Sequence, residues 1–459
     1  MAYERELGSD WRGHRIESNV ADEFTITRVG LHLQRLVPWL WVGGRWLAAG
    51  VLGLAVLVWA GGASAEEAPA EELTSKVAPP SLVLITLDTT RNDFVGPTVE
   101  GGASRTPALD RLAGQGVRYR RAVAPSPLTL PSHASLLTGL EPPEHGVRVN
   151  GSVALPQDLP TLATLLTAHG FDSAAFVATR VLDRRFGLAR GFALYDDRMV
   201  AERLGEYGYP ERDAAAVTTA ALAWTAGRDP VRPFFLWVHY YDPHFPYAAP
   251  GSTGGSVHAL YADEIAFMDR QIGRLLDGLP ATPERIVAVV GDHGESLGEH
   301  GERTHGIFLY RSVMEVPLIV AGSGVPRGVQ VSEPVATRRL AASLAQLVLP
   351  ASDPTLPGPV LPGLDLTEID PPSLPIYSES LMPAATYGWS PLTAVTTVQH
   401  RLIVAPRPEL YDIAVDPGER RNLVRQERAV ARQLRDTLTA SEASFRQRQA
   451  APVAADGQL

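Results

Sequence analysis

Apolar residues follow two rhythms along this chain. Strand-length runs with almost no polar break occur at Leu82–Leu87, Phe234–Tyr240, Ile286–Gly291 and Val316–Ala321. Such runs predict strands buried on both faces. Val117–Val123 and Ser173–Ala178 are further strand candidates. Between them the period is helical. Leu260–Leu279 repeats Ile265, Met268, Ile272, Leu275, Leu276 and Leu279, Ala214–Ala226 is an alanine-rich helix, and Thr106-Pro-Ala-Leu opens a helix with proline just inside. Strands alternating with helices predict an α/β fold, a large, mostly parallel sheet covered by helices on both faces. Sites in such sheets form at the carboxyl ends of the strands. Past Ala321 the rhythm breaks into glycine, proline and short strands, with Pro375–Glu379 and Leu392–Val404 as strand candidates. A charged helix over about Leu423–Gln447 follows, and its Arg/Glu pairs predict a solvated face. The expected division is a core over 81–322 and a smaller C-terminal part over 323–459, with short antiparallel strands and a terminal helix.

The N-terminal pattern speaks to location. Arg45 and Glu66 bracket 20 uncharged residues, 46–65, ending in Ala63-Ser-Ala65. A basic flank, an apolar stretch and a small-x-small site have the anatomy of a secretory signal cleaved after Ala65. The same length also suits an uncleaved anchor attached to a membrane. Both readings place the remainder outside the cytoplasm, periplasmic or extracellular. The 40 or so preceding residues are long for a signal, and a start near Val42 would suit it better. Residues 66–80 read as a Glu/Ala/Pro-rich linker. A net charge of −10 excludes a nucleic-acid partner, and the absence of cysteine excludes disulfides and thiolate metal sites.

Candidate chemistry gathers at the strand ends. Asp88 closes the first apolar run, Asp242 follows Phe234–Tyr240, and Asp292-His293-Gly294-Glu295 follows Arg285–Gly291. A strand-end aspartate is often only a turn or helix cap. An acid and an imidazole side by side before a tight-turn glycine suit a metal site instead, and His300 and His305 follow closely. Thr129, in Thr129-Leu-Pro-Ser-His133, stands where a helix begins, so its hydroxyl is either a cap or a nucleophile facing an anion at a helix N-terminus. Asp242-Pro-His244, close to His239, is a second carboxylate–imidazole pair, and Asn150 is a candidate hydrogen-bond donor.

These stretches resemble the sulfatase branch of the alkaline phosphatase superfamily. The resemblance runs through Leu87-Asp-Thr-Thr-Arg-Asn-Asp93, Thr106–Leu112, Thr129–Gly139, Tyr241-Asp-Pro-His244, Asp292–Glu295 and Glu409–Gly418. It implies the alkaline phosphatase-like fold and an ester hydrolase. Sulfatases of the family carry at the nucleophile position a cysteine or serine that is oxidised to formylglycine; here that position is Thr129, and His133 stands where they have arginine. Their paired aspartates are here Asp88-Thr89, and their asparagine after the later metal aspartate is here His293. The departures resemble the phosphotransfer branches, which use threonine. In the nucleotide pyrophosphatase/phosphodiesterases an asparagine lies 21 positions on, as Asn150 does from Thr129. The phosphoethanolamine transferases resemble Asp292–Gly298 and carry a later histidine similar to His305.

The expected activity is therefore hydrolysis of a phosphate ester, a diester or phosphonate ester ahead of a monoester, through a phosphothreonine. The substrate class is an anionic ester, small or derived from a glycan or lipid. Asp88, Thr129, Asp292 and His293, with Asp242 as a further candidate, would bind one or two divalent ions, zinc or manganese before calcium because of the nitrogen ligand. Asn150, His244 and His305 would hold the non-bridging oxygens or a second ion. The alternatives are a sulfatase working without formylglycine, a phosphoryl transferase, and an inactive binding homologue.

Overall fold

The computed structural model describes residues 79–97, 103–204, 210–281, 284–350, 356–364 and 374–450. The apolar segment 46–65 and most of the linker lie outside them. Among the described residues no helix is long and apolar enough to cross a membrane.

The strands are β1 (Ser81–Leu87), β2 (Gly116–Val123), β3 (Asp172–Phe176), β4 (Leu194–Asp196), β5 (Val200–Leu204), β6 (Pro210–Glu211), β7 (Phe234–Tyr240), β8 (Arg285–Gly291) and β9 (Glu315–Gly322). They continue with β10 (Val329–Val331), β11 (Val335–Ala336), β12 (Ile376–Ser380), β13 (Leu392–Thr396), β14 (His400–Val404) and β15 (Glu409–Asp412). The helices are α1 (Pro107–Gly114), α2 (Thr129–Thr138), α3 (Pro142–His145), α4 (Leu162–Ala168) and α5 (Ala214–Gly227). After these come α6 (Val257–Gly278), α7 (Arg311–Met314), α8 (Arg339–Val348), α9 (Met382–Tyr387) and α10 (Arg428–Ala450).

Nine strands make one sheet in the order β10-β2-β9-β8-β1-β7-β3-β4, with β11 also on β2. β1 lies at its centre, parallel to β7 and β8. β9 runs against both β8 and β2, so the sheet is mixed and mostly parallel, as the alternation of periods predicts. Every position of β1 and β7 is buried because helices cover both faces. On one face Leu82, Leu84 and Trp237 pack with Leu130, Leu162 and Leu344 of α2, α4 and α8. On the other, Val83, Ile85 and Val238 pack with Leu109, Val217 and Met268 of α1, α5 and α6. Each such side chain stabilises the fold by about 1.5–3 kcal/mol.

The change of sequence character at Gly322 does not mark the edge of the large sheet. β10 and β11, expected in the smaller part, pair with β2, and Leu340 and Leu344 of α8 belong to the main core. The second sheet is antiparallel, β12-β13-β14-β15, and the Leu392–Val404 candidate is two of its strands. The terminal helix begins at Arg428 rather than near Leu423. One of its faces is not solvated: Leu434, Leu438 and Phe445 bury against Tyr377, Leu402 and Leu410.

Candidate active site

The sheet carries its pattern one residue past the ends of β1 and β8. Asp88 N–H donates to the Tyr240 carbonyl at 2.9 Å, and Asp292 N–H donates to the Leu87 carbonyl at 3.2 Å. Both carboxylates are thereby fixed at adjacent strand ends, fully buried, with His293 beside them. Ligand atoms of Asp88, Asp292 and His293 all lie within 4.8 Å of one another. His293 is oriented for the task. The Gly294 carbonyl, 3.0 Å from Nδ1, can only accept, so Nδ1 carries the proton and Nε2 keeps its lone pair. That Nε2 lies 3.5 Å from Asp292 Oδ2 and 3.7 Å from Asp88 Oδ1.

Thr129 is the first residue of α2, and its hydroxyl makes no capping bond; the cap position is Leu128. Its Oγ1 instead lies 3.3 Å from His293 Nε2. Asn150 Oδ1 accepts the Leu130 N–H at 2.9 Å, which turns its NH2 into the available donor. His244 and His305 stand nearby, ring centroids 5.2 Å apart, and His305 lies 4.5 Å from the His293 ring. His305 holds Glu295 Oε1 through Nδ1 at 3.0 Å, and His244 Nδ1 donates to the Phe245 carbonyl at 2.8 Å. In both rings it is Nδ1 that makes these bonds. Burial first, then the neighbouring His305, pulls the His244 imidazole down to about 3.

Asp242 belongs to a different structure. Its Oδ2 accepts the Ala214 N–H at 2.9 Å at the start of α5, the capping use of a strand-end aspartate, and it is not part of the three-residue ligand group. Among the described residues that group is the one arrangement of its kind.

Two further histidines complete the floor, His133 at the end of the Thr129–His133 run and His239 of β7. His133 donates from Nδ1 to the Thr129 carbonyl at 2.8 Å and accepts at Nε2 from the Thr86 hydroxyl at 3.0 Å. Thr86 in turn accepts the Trp237 indole N–H at 2.9 Å, which fixes every proton in the chain. His239 accepts the Ala178 N–H at Nδ1 and brings Nε2 within 3.3 Å of Asp88 Oδ2. The register of β1 and β7, which sets Thr86 opposite His239, is the signal that could have found it. Thr89 also contributes: at φ +47, a conformation rare for a β-branched residue, its N–H points at Asp292 Oδ1, 3.3 Å away.

The electrostatics are those of a cation site. Asp88 Oδ1 and Oδ2 and Asp292 Oδ2 are buried without a hydrogen-bond partner, a costly state for a carboxylate. Burial, then the Glu295 and Glu211 carboxylates, holds Asp88 well above the ordinary carboxylate range. Burial and Asp88 do the same to Asp292. Burial, then His305, holds His293 well below the usual imidazole value, so it is neutral and able to coordinate. Orphaned oxygens, a deprotonated imidazole nitrogen and no cationic side chain among them fit a divalent metal. The backbone leaves the ligands no latitude. A β-carbon on Gly291 would lie 2.7 Å from Val316 Cβ, and one on Gly294 would lie 2.1 Å from the Ser312 carbonyl oxygen.

Above this floor opens a cavity of about 300 Å³, lined by residues that include Thr129, Asn150, His244 and His305, with Met382 and Thr386 of α9 as part of its wall. A larger cavity of about 630 Å³, around His300, Tyr310, Arg311 and Glu419, contains none of the candidate residues. The chemistry therefore belongs to the smaller one.

A profile of the sulfatase family matches residues 80–349. The chain is 23% identical over 361 residues to a sulfatase of Formosa agariphila, covering 60% of this chain and 71% of that one. It is 23% identical to a Δ4,5-hexuronate-2-O-sulfatase of Bacteroides thetaiotaomicron, over 75% of this chain and 85% of that one. A phosphonate monoester hydrolase of Agrobacterium radiobacter superimposes with a TM-score of 0.65 at 20% identity, over 80% of this chain and 96% of that one.

Proposed function

The chain belongs to the sulfatase family of the alkaline phosphatase superfamily and is an ester hydrolase, and from that premise we propose that it cleaves a phosphate ester, diester or phosphonate ester by preference, with Thr129 as nucleophile. One observation carries this reading: the Thr129 hydroxyl stands 3.3 Å from His293 Nε2, at the mouth of the orphaned Asp88–Asp292 carboxylate pair. Family enzymes are metal-dependent, and Asp88, Asp292 and His293 would hold the ion, zinc or manganese ahead of calcium given the nitrogen donor. The metal supplies Lewis acidity, which lowers the pKa of a hydroxyl at the site.

The Thr129 hydroxyl gives up its proton as Oγ attacks phosphorus in line, the bond to the alcohol oxygen breaks, and the alcohol leaves with one proton, so the step is proton-neutral. Water then attacks phosphorus and displaces Thr129 Oγ, restoring the hydroxyl. A threonine ester has no aldehyde hydrate to collapse, so this second displacement is required, and a phosphoryl group suits it. α2 turns its N-terminus to the developing charge, and the Asn150 amide NH2 is placed to donate to a non-bridging oxygen. His305, held by Glu295, donates from Nε2 when protonated and takes the water's proton when neutral. The N-terminal segment 46–65 supports export, with the catalytic part periplasmic or extracellular, and a membrane anchor as the variant of that reading.

Hydrolysis of a sulfate ester without formylglycine is the second reading, favoured by the sulfatases among the relatives. Matched aryl phosphate monoester, diester, phosphonate and sulfate substrates separate the two. The expected result is a higher kcat/KM for the diester or phosphonate than for the sulfate; a sulfate ester that outruns all three phosphorus esters replaces the first reading with the second.

A further inference from the structure

Two large aromatic rings stand half out of the surface at the end of α9. Tyr387 is 49% and Trp389 59% exposed, and their ring centroids are 4.8 Å apart with planes 32° from parallel. Isolated exposed apolar residues are ordinary, but two bulky rings held against each other in water form a surface with a use. Nothing in the catalytic reading employs them.

Their position is fixed to the candidate active site through α9. At its near end the Ser380 hydroxyl donates to the Gly306 carbonyl, directly after His305. A β-carbon on Gly306 would lie 3.4 Å from Leu128 Cδ2 and 3.7 Å from Met382 Cε, so α9 leans on the segments that carry Thr129 and His305. Met382 and, one turn on, Thr386 form part of the cavity wall. At the far end Gly388, at φ +66, closes the helix with its N–H on the Ala384 carbonyl, and Trp389 N–H returns to Pro383 at 3.1 Å. The two rings are therefore borne by a hydrogen-bonded turn, immediately past the last cavity residue of the helix.

The cavity's size says what reaches them. About 300 Å³ is the lower end of small-molecule sites, room for the reacting group and the first part of its alcohol. A larger alcohol must continue outward. The cavity lining itself includes the apolar Leu128, Val149, Val181 and Met382. We infer that Tyr387 and Trp389 form an outer subsite that stacks against a ring of the ester's alcohol portion, a pyranose or aryl ring, as it leaves the cavity past Met382 and Thr386. A ring with an apolar face matches two exposed rings; a linear alkyl chain gains little from them. The inference rests on the reading of the cavity as the ester site.

Esters with one common reacting group and three alcohols, a disaccharide, an aryl and a linear alkyl alcohol, test it in Tyr387→Ala, Trp389→Ala and Trp389→Phe. The alanine variants should raise KM for a ring-bearing ester by roughly tenfold, the scale of one lost stacking contact, with kcat within twofold and the alkyl ester unchanged. Trp389→Phe should retain most of the affinity, and the arm with the larger loss identifies sugar or aryl as the natural ring. An equal loss on the alkyl ester overturns the inference, as does an unchanged KM on both ring esters, or a variant that alters only sedimentation, which would mark the rings as a self-association surface. Calorimetric binding of the same esters to Thr129→Ala protein, with and without Trp389→Ala, gives the ring dependence without turnover. If Thr129→Ala still turns over, the nucleophile assignment falls while the ring dependence remains measurable.

Discussion

In the C-terminal part of the molecule, buried charge is met by buried charge. Arg401, 1% exposed, donates to Glu419 at 2.9 Å and lies 3.6 Å from Glu315, while Arg311 offers Nε to Glu315 and its backbone N–H to Glu419. At the ends of β1 and β8, Asp88 and Asp292 are as deeply buried, and their free oxygens meet neutral imidazoles and no cation. Desolvation penalises both groups alike. The difference is who supplies the positive charge: the chain itself in one place, and in the other the divalent ion that the proposed site would take. The first cluster is structural and complete at synthesis. The second pairs two buried carboxylates with a neutral imidazole, the donor set a divalent ion would take.

Removing the nucleophile leaves both clusters untouched and should have the largest effect. Thr129→Ala is expected to lower kcat by at least about 10³-fold. Because Thr129 makes no capping bond, its melting temperature should stay within a few degrees of the parent. Full activity in a variant that melts lower would reduce Thr129 to a structural residue.

The comparison is sharpest when each cluster loses one member. Arg401→Ala takes the buried cation away from Glu419, which keeps only the Arg311 backbone N–H, and should destabilise the protein by about 3–5 kcal/mol, read by denaturant melting, with metal stoichiometry unchanged. Asp292→Asn should act in the opposite direction on the metal-free protein. It removes one of two carboxylates that repel each other, and the amide oxygen can keep the bonds from His293 N–H and Thr89 N–H. Chelated Asp292→Asn should therefore melt at or above chelated parent, yet bind no metal and turn nothing over. If both variants destabilise the chelated protein equally, the two clusters do not differ in the way described. For the parent, zinc or manganese should restore both activity and melting temperature after chelation, better than calcium does.

Glu302 tests a smaller effect, in the loop that carries His305. Its Oε1 accepts the Ile307 N–H at 2.8 Å, and burial pushes its carboxyl up to about 7. The folded state thus holds this proton more tightly than the unfolded chain, where the value is about 4.3. Stability from this group is complete below about pH 4.3 and is lost as pH rises through about 7. Glu302→Gln should flatten that decline, seen as a smaller drop in melting temperature between pH 5 and 7.5.

Much of this was legible in the chain because double-sided burial writes itself as unbroken apolar runs: β1, β7 and β8 and the strand-end position of Asp88 and Asp292 follow from that alone. Asp242 has the same signature, and only the Ala214 N–H that it accepts distinguishes a cap from a ligand. That partner lies 28 residues away and no local pattern encodes it. His133 and His239 were obscure for a related reason. His239 sits in an apolar run, where an imidazole reads as core, and the roles of both come from protons fixed by Thr86, Trp237 and Ala178, partners that no local pattern encodes. β10 and β11 were misplaced because strands of three and two residues on a sheet edge carry too few side chains to show a period.

Gly291 and Gly294 bracket the Asp292-His293 pair, and the Val316 and Pro317 side chains of β9 at the first and the Ser312 carbonyl at the second leave no space for a side chain. The turn that carries the two ligands is thus held tightly against the Ser312–Pro317 segment, which makes it a stiff gauge for the ion it would take. Such a gauge discriminates by ionic radius. Zinc bonds to nitrogen and oxygen at about 2.0–2.2 Å, whereas calcium takes six to eight oxygens at about 2.3–2.6 Å. A lineage adapting this site to a larger ion would have to separate those segments first, so the ion's size and the two glycines are expected to change together or not at all.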